Sequence, residues 1–422
     1  MVAQRDPPKA QKNSTGGIDL VRYHVGVDVG KDRHHVSIRD VETNTYCKTV
    51  SITNDREGFA ELVSSLERLS GDKSAFLVGI EACPYGLNLS YFLMGVGFNL
   101  VEVNPFRAGQ FRKAQGMKAK TDRIDARSVA AILSLGDHKP LSIPDPILDN
   151  LKELTRFRTD LVDERATMII HLREALSILF PEYDKVFRQL DSSGSLAVLA
   201  AFPGPEHLIA AGEETVGKVL SLASPHRMGR GMARRIIGAA QDTVGVVQRQ
   251  PALGIKISIL AKRIESLQST IHELDRQITT LFNSLPCKPQ GFPCGRAPTL
   301  AAIVSEIGDI HRFPTLKKFL SHLGWCPQSF QTGNYHMEHP RMSHAGNKHI
   351  RRLVWMLSIN AIRMVPRYRE YFLHRVSEGK AKMHILVAVG RKLLSALYAI
   401  LKRGVAYDPN WEENSRFAMA KH

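Results

Sequence analysis

Two short β-rich runs that each end in a carboxylate constrain this chain most. The run Val25-Gly26-Val27 is followed by Asp28, and the apolar run 75–80 is followed by Glu81. Runs of this kind, bounded by polar residues, predict strands that contribute to the core of a sheet. Each carboxylate is therefore expected at a strand tip, where it is available for chemistry.

The order of predicted elements between residues 22 and 135 indicates the fold class. Three β-rich segments come first, separated by polar turns that suggest an antiparallel meander. The strands are predicted at 23–29, 34–39, 46–52, 75–81 and 98–103, and the helices at 55–69, 85–96 and 121–135. This is the order of an α/β RNase H-like fold, in which the carboxylate of the first strand lies beside the end of the fourth strand. Asp28 and Glu81 fall at those two places.

Two further acids, Asp122 and Asp125, lie three residues apart at the start of the last of these helices, for which Thr121 is the predicted N-cap. Their spacing puts them on one helix face. Together with Asp28 and Glu81 they supply the hard oxygen ligands that two Mg²⁺ ions require, and the negative charges could not crowd together without cations. Such a site would polarise a scissile phosphate. For any one acid, the alternative is a solvated surface charge.

The strongly basic balance of the chain predicts a nucleic-acid partner. Its formal net charge is +16, and residues 286–422 carry 21 Lys and Arg against 8 Asp and Glu. Such concentrated charge favours polyphosphates through counterion release. A basic solvated surface is the alternative. The predicted phosphate contacts are Lys118, Lys120, Arg123 and Arg127 beside the acid pair, and Arg341, Lys348, Arg351 and Arg352 in the last third.

Cysteine usage and hydropathy predict a cytoplasmic protein without a membrane span. The five cysteines are scattered and no pair has zinc-finger spacing, which favours free thiols in a reducing compartment. The apolar run 383–401 is broken by Arg391-Lys392 and predicts a core helix. The N-terminal residues are polar and predict a disordered arm rather than a signal peptide.

The middle third is predicted to be helical, with a coiled-coil pattern. Apolar residues alternate in steps of three and four at Ile257, Leu260, Ile264, Leu267, Ile271, Leu274, Ile278 and Leu281. A dimerisation arm, an antiparallel hairpin and one buried helix of a bundle all fit this pattern. The predicted organisation is an arm at 1–20, a catalytic domain at 21–145, a helical coiled-coil region with an inserted helical segment at 146–285, a mainly α-helical domain at 286–407 and a tail at 408–422.

Two separate sets of motifs resemble one family, the DEDD-type transposases of the insertion-sequence 110 family, which also include the DNA invertase Piv. The N-terminal set is Gly26-Val27-Asp28, Gly79-Ile80-Glu81-Ala82, Asn104-Pro105 and the segment 120–127. The C-terminal set comprises 307–313, Gly324-Trp325-Cys326-Pro327, 341–347 and Ile350-Arg351-Arg352. Both sets occur in the order that the family shows.

The resemblance implies more than the fold. It implies a RuvC-like first domain that holds Mg²⁺ through Asp28, Glu81, Asp122 and Asp125. It also implies a homodimer or a synaptic tetramer that carries a structured guide RNA, which pairs with donor and target double-stranded DNA. Such a bacterial enzyme would act in the cytoplasm on the nucleoid.

The chain departs from the family at the nucleophile. Members place a serine shortly after the Gly-x-x-Pro element and just before a glycine, whereas here Thr332 precedes Gly333. A threonine hydroxyl can attack phosphorus when it is activated, although its methyl group restricts χ1. Three interpretations stay open: Thr332 attacks, Ser329 or Ser343 substitutes for it, or this copy is impaired. The intact spacing to Gly333 and Arg341 favours Thr332.

Two other functional classes fit the same residues. A RuvC-like resolvase or nuclease would use the four acids to activate water, without a covalent protein–DNA step. A non-catalytic DNA- or RNA-binding protein would not depend on the acids at all. Both remain alternatives to a transposase that cleaves and exchanges DNA strands.

Overall fold

The structure is a computed structural model that describes residues 21–114, 121–136, 139–141, 145–224, 229–326, 331–332, 335–336, 342 and 346–408. The chain divides into two compact units, Met1–Ile143 and Pro144–His422. The first is built around a sheet and the second is almost entirely helical, which confirms an α/β N-terminal part followed by a mainly helical remainder.

Unit 1, Met1–Ile143, contains six strands and four helices in its described residues. The strands are β1 (Tyr23–Asp28), β2 (Arg33–Asp40), β3 (Thr45–Thr53), β4 (Phe76–Glu81), β5 (Asn99–Val103) and β6 (Lys139–Pro140). The helices are α1 (Arg56–Glu67), α2 (Leu87–Val96), α3 (Pro105–Ala114) and α4 (Asp122–Ile132).

The strands form one mixed sheet in the order β3-β2-β1-β4-β5-β6. The first three are antiparallel neighbours, whereas β4 runs parallel to both β1 and β5. The predicted meander and the central place of β1 are confirmed. Helix α3 and strand β6 had no counterpart among the predicted elements. The predicted N-cap of α4 is confirmed, because the Thr121 side chain accepts a hydrogen bond from the Ile124 amide.

Alternation along the strands separates the two faces of the sheet. Val25 and Val27 lie in a core with Phe59, Leu62 and Leu66 of α1 and with Leu89 and Leu93 of α2. Gly26, between the two valines, faces helix α4. A Cβ atom at Gly26 would lie 2.2 Å from both the Ala126 carbonyl oxygen and the Ala130 amide nitrogen. Helix α4 therefore packs backbone to backbone on the central strand, which only glycine permits.

Unit 2, Pro144–His422, contains eleven helices and two short strands in its described residues. The helices are α5 (Pro146–Leu179), α6 (Tyr183–Val186), α7 (Ser193–Ala201), α8 (Pro205–Ala223), α9 (Arg230–Gln241), α10 (Gln250–Asn283), α11 (Ala297–Ile307), α12 (Leu316–His322), α13 (Lys348–Met364), α14 (Pro366–Ser377) and α15 (Lys382–Arg403). Strands β7 (Gln331–Thr332) and β8 (Tyr335–His336) pair antiparallel.

The two long helices α5 and α10 run antiparallel, since Arg158 pairs with Asp275 and Glu164 with Arg263. One end of this helix pair contributes to a core with α7, α8 and α9, which includes Leu172, Leu176, Ile257 and Ile264. The other end contributes to a second core with α11, α12, α13 and α15, which includes Leu151, Leu274 and Ile278. The apolar stripe predicted on α10 therefore packs inside the chain.

Helix α15, Lys382–Arg403, is the one described helix that is long and apolar enough to cross a membrane, with a mean hydropathy of 1.5. Of that window, 56% is buried inside the protein. Val389, Leu393, Leu394 and Leu397 belong to the core shared with α11 and α13, which is the environment of a core helix. All five cysteines are free thiols.

We expect Gly26→Ala to destabilise the protein, because the new methyl group would force α4 away from β1. Overpacking of this kind costs about 1–3 kcal/mol of unfolding free energy. Gly95→Ala on α2 is the matched control, since a Cβ there meets nothing within 4 Å and alanine stabilises a helix interior by up to about 1 kcal/mol. Chemical denaturation of both variants measures the difference, and equal stability would contradict the packing described for α4.

Candidate metal and phosphoryl-transfer site

Asp28 and Glu81 lie side by side at one edge of the sheet. Strands β1 and β4 are parallel neighbours, and their register pairs Val27 with Ile80, so that the next residue of each strand is Asp28 or Glu81. Both side chains are half-buried. This edge is the carboxyl end of two parallel strands, which is where open α/β sheets place their ligands.

Both carboxylates also project from the face of the sheet on which α4 packs. Side chains two residues apart along a strand share a face. Asp28 is two residues from Gly26, which contacts α4, and Glu81 is two residues from Gly79, whose added Cβ would meet Leu133 just beyond α4. Their spacing in the sequence therefore puts both acids beneath the helix that carries the other two.

Asp122 comes to this edge from the first turn of α4. Ala126, one turn further along the helix, lies over Gly26 of β1. His35 of β2 stands opposite Asp28 in the antiparallel register, and its Nδ1 atom lies 3.6 Å from Asp122 Oδ2. The His35 side chain, which lies beside Asp28, is thus also close to the Asp122 carboxylate.

Asp125 is engaged by a guanidinium. Arg112 of α3 donates from Nη1 to Asp125 Oδ1, and the two side chains are only 19% and 16% exposed. Helix α3 was not predicted, although Arg112 belongs to the basic segment that flanks the acid pair in the sequence. The arginine neutralises one of the four negative charges at this edge.

In the described part of the chain, no three His, Cys, Asp or Glu side chains come close enough together to hold one metal ion. The three elements that carry Asp28, Glu81, Asp122 and Asp125 meet at one edge of unit 1. Convergence of all four carboxylates on shared ions stays a prediction.

The basic residues predicted beside the acids have different environments. Arg123 and Arg127 are exposed on α4. The Arg127 guanidinium lies over the Tyr46 ring, 5.1 Å from its centroid, and the Tyr46 hydroxyl donates to the Arg127 carbonyl oxygen at 3.2 Å. Lys118 and Lys120 lie outside the described residues.

In unit 2, Thr332 ends strand β7 and pairs with Tyr335 of β8. The backbone of Thr332 therefore belongs to a short antiparallel strand pair. The alternative nucleophiles Ser329 and Ser343, and the predicted phosphate contact Arg341, lie outside the described residues.

The remaining basic residues predicted in unit 2 lie on the first turns of α13. Lys348 is exposed and Arg351 is half-buried. The Arg352 guanidinium forms a bidentate pair with the Asp163 carboxylate of α5. This hydrogen-bonded pair lowers the pKa of Asp163. Arg352 therefore already has an anionic partner within the chain.

The sequence-based interpretation missed a buried carboxylate, Glu306. It accepts hydrogen bonds from Arg156 of α5 and from Asn347, the N-cap residue of α13. A signal was present in the sequence, because Glu306 is the one charged residue in helix α11, which is otherwise apolar and small. A single acid in such a helix requires a partner.

Comparison with known proteins matches both parts of the chain to transposases. Residues 25–181 match a DEDD transposase family of IS110 type, described as "Transposase". Residues 295–373 match the family described as "Transposase IS116/IS110/IS902 family". The first match contains Asp28, Glu81, Asp122 and Asp125, and the second contains Thr332.

Full-length relatives show the same likeness. An uncharacterized 44.8 kDa protein of insertion element IS116 from Streptomyces clavuligerus is 25% identical over 399 residues, covering 92% of this chain and 96% of its own length. A 42 kDa protein of insertion element IS900 from Mycobacterium paratuberculosis is also 25% identical, over 91% of this chain and 96% of its own. The pilin gene-inverting protein of Moraxella lacunata is 22% identical, over 93% and 100%.

The two family matches occur in the same order as the two motif sets and together cover more than half of the chain. The chain therefore belongs to the IS110 family of transposases and is an enzyme of DNA recombination.

Proposed function

We propose that this transposase cleaves and exchanges DNA strands by metal-dependent phosphoryl transfer at the sheet edge of unit 1. The observation that supports this most is the shared edge and face of Asp28 and Glu81, with Asp122 brought to it by α4. Carboxylates from adjacent strand ends and a helix start are suited to share divalent ions. We assign the unit a RuvC-like catalytic role.

The donor chemistry at this edge fits Mg²⁺. Asp28, Glu81, Asp122 and Asp125 offer only carboxylate oxygens, the ligands that hard divalent cations take. When bound, Mg²⁺ would supply positive charge at the attacking and leaving oxygens of the phosphate. Asp125 is paired with Arg112, so its carboxylate would exchange a guanidinium for the metal.

Thr332 is the proposed nucleophile. Its hydroxyl gives up a proton to solvent, its oxygen forms a bond to phosphorus, and one sugar oxygen leaves and takes up a proton. The protein–DNA phosphodiester keeps the energy of the broken bond, so a sugar hydroxyl of another strand can reverse the step and complete the exchange. Hydrolysis would instead release that energy, which is the difference between a recombinase and a nuclease.

Basic side chains are proposed to hold the DNA backbone. Arg123 and Arg127 are exposed on the helix that carries the acid pair, and Lys348 begins α13. A helix start and a guanidinium both favour phosphate oxygens. Lys118, Lys120, Arg341, Arg351 and Arg352 complete the proposed set. For Arg352 the DNA would compete with Asp163.

The family resemblance extends the proposal to assembly and guidance. We propose that a homodimer or tetramer of the chain carries a structured guide RNA and acts in the cytoplasm on the bacterial nucleoid. RNA that copurifies with the protein should be one discrete structured species encoded beside the gene. Sequencing of that RNA is the test, and bulk cellular RNA alone would contradict guidance.

We expect Asp28→Asn and Glu81→Gln to reduce Mg²⁺-dependent strand cleavage by about 10²-fold or more, because each removes charge from the metal site while preserving shape. DNA affinity measured without Mg²⁺ should not fall, because replacing a carboxylate by an amide removes repulsion toward the phosphates. Glu61→Gln, an exposed acid of α1, is the matched control and should cleave like the parent protein. Unchanged cleavage in the Asp28 variant would refute the catalytic assignment and favour a non-catalytic DNA-binding protein.

We expect Thr332→Ala to abolish a denaturation-resistant protein–DNA adduct, whereas Thr332→Ser should retain it because the hydroxyl remains and the β-methyl is lost. Electrophoresis of labelled DNA after denaturation measures the adduct. Ser329→Ala and Ser343→Ala serve as comparison variants. An adduct that persists in Thr332→Ala and disappears in either serine variant assigns the nucleophile elsewhere, and cleavage without any adduct indicates a water-activating nuclease.

A further inference from the structure

Glu306 is a buried acid that takes no part in the chemistry proposed above. Its side chain is only 2% exposed, and it lies in the last turn of α11, which is otherwise uncharged. Burying a carboxylate is costly unless it is paired and hydrogen-bonded. The groups that hydrogen-bond to Glu306 are therefore the parts of the chain that this carboxylate holds in place.

Two partners from distant parts of unit 2 converge on Glu306. Arg156 of α5 donates from Nε to Oε1 at 2.6 Å and from Nη2 to Oε2 at 3.1 Å, which is a bidentate pair. Asn347 donates from Nδ2 to Oε2 at 2.6 Å. Burial raises the pKa of Glu306, but these hydrogen bonds and the guanidinium charge outweigh it, so the pKa lies below its usual value. The residue is a carboxylate at neutral pH.

Asn347 forms hydrogen bonds through both the nitrogen and the oxygen of its side-chain amide. While its amide nitrogen donates to Glu306, its side-chain oxygen caps α13 by accepting from the His349 amide at 2.9 Å and the Ile350 amide at 3.3 Å. An asparagine cap satisfies amides that the first helical turn leaves unpaired. The start of α13 is thus tied through Asn347 and Glu306 to Arg156.

The backbone just before Asn347 is also fixed. Gly346 has φ of +100°, and a Cβ there would lie 2.6 Å from the Gly324 amide nitrogen. Gly324 and Gly346 therefore touch backbone to backbone. In the sequence, Gly324 and Gly346 flank the segment that contains Thr332, so the two ends of that segment lie next to each other. Glu306 holds Asn347, the residue that joins the segment to α13.

We propose that Glu306 is a positioning residue for strand cleavage. It fixes Asn347 and the start of α13, and through them the end of the segment that carries Thr332, without touching DNA itself. This inference rests on the proposed role of Thr332. A merely stabilising ion pair would be replaceable with little effect on chemistry, whereas a positioning residue affects the rate of cleavage once DNA is bound.

The first test is Glu306→Gln in the full-length protein. The amide cannot form the bidentate pair with Arg156 as an anion does, and one orientation turns its NH₂ group toward the NH₂ group of Asn347. At saturating DNA and Mg²⁺, single-turnover adduct formation should fall by about 10-fold or more, as expected for a misplaced reacting group, while DNA affinity stays within about 2-fold. Asp275→Asn, which breaks the Arg158 pair between α5 and α10, is the control with a parent-like rate.

A second pair of variants keeps the test decisive if Glu306→Gln folds poorly. Asn347→Ser retains a capping hydroxyl but is too short to hold Glu306 as the amide does, and it should show the same loss of rate. The double variant Glu306→Gln with Asn347→Asp exchanges donor and acceptor and keeps one negative charge in the cluster. It should recover much of the rate that the single variant loses.

Hydrogen exchange of the amides at 348–352 provides a readout that does not depend on catalysis. We expect faster exchange there in Glu306→Gln than in Asp275→Asn. Parent-like cleavage in Glu306→Gln or Asn347→Ser, or unchanged exchange at 348–352, would overturn the positioning role of Glu306 and leave the proposed function intact. An adduct that does not depend on Thr332 would instead refute the proposed role of Thr332, and the positioning role with it.

Discussion

The structure of unit 1 depends on one close contact, the backbone of α4 against the backbone of β1 at Gly26. A side chain at that position would displace the helix, since its Cβ would lie 2.2 Å from backbone atoms of Ala126 and Ala130. The contact fixes the height of α4 over the sheet and brings Asp122 toward the strand end where Asp28 lies. A glycine in the central strand is thus a condition for the arrangement of acids at the edge.

Acidic side chains in both units are engaged by arginines rather than left to repel one another. Asp125 is bound by Arg112, Asp163 by Arg352 and Glu306 by Arg156. The contacts with Asp163 and Glu306 are bidentate, and guanidinium groups bind phosphate oxygens in the same planar way. The excess of positive charge therefore has two roles. Some arginines hold the protein together, and the exposed ones, such as Arg123, remain available to a polyanion.

Much of unit 1 could be predicted from the sequence, because strand alternation and strand-end acids are local patterns. The sequence positions of β1 to β5 follow from these patterns, and the cap at Thr121 follows from the N-cap preference of threonine. The central place of β1 follows from the order of the elements, which is that of an RNase H-like fold. Helix α3 was missed because its apolar residues show no clear helical stripe, and without that helix the pairing of Arg112 with Asp125 could not be foreseen. The Glu306 cluster was missed because its three residues lie about 40 to 190 positions apart, where no local pattern reports contact.

The central claim is that carboxylates from separate elements share divalent ions at the sheet edge. The most direct measurement is a crystal structure of the full-length protein with DNA and Mn²⁺, in which anomalous scattering locates the ions. We predict peaks between Asp28 and Glu81, with Asp122 or Asp125 as a further ligand and Arg112 released from Asp125. Peaks bound elsewhere, or an edge whose carboxylates stay apart around DNA with no ion between them, would contradict it.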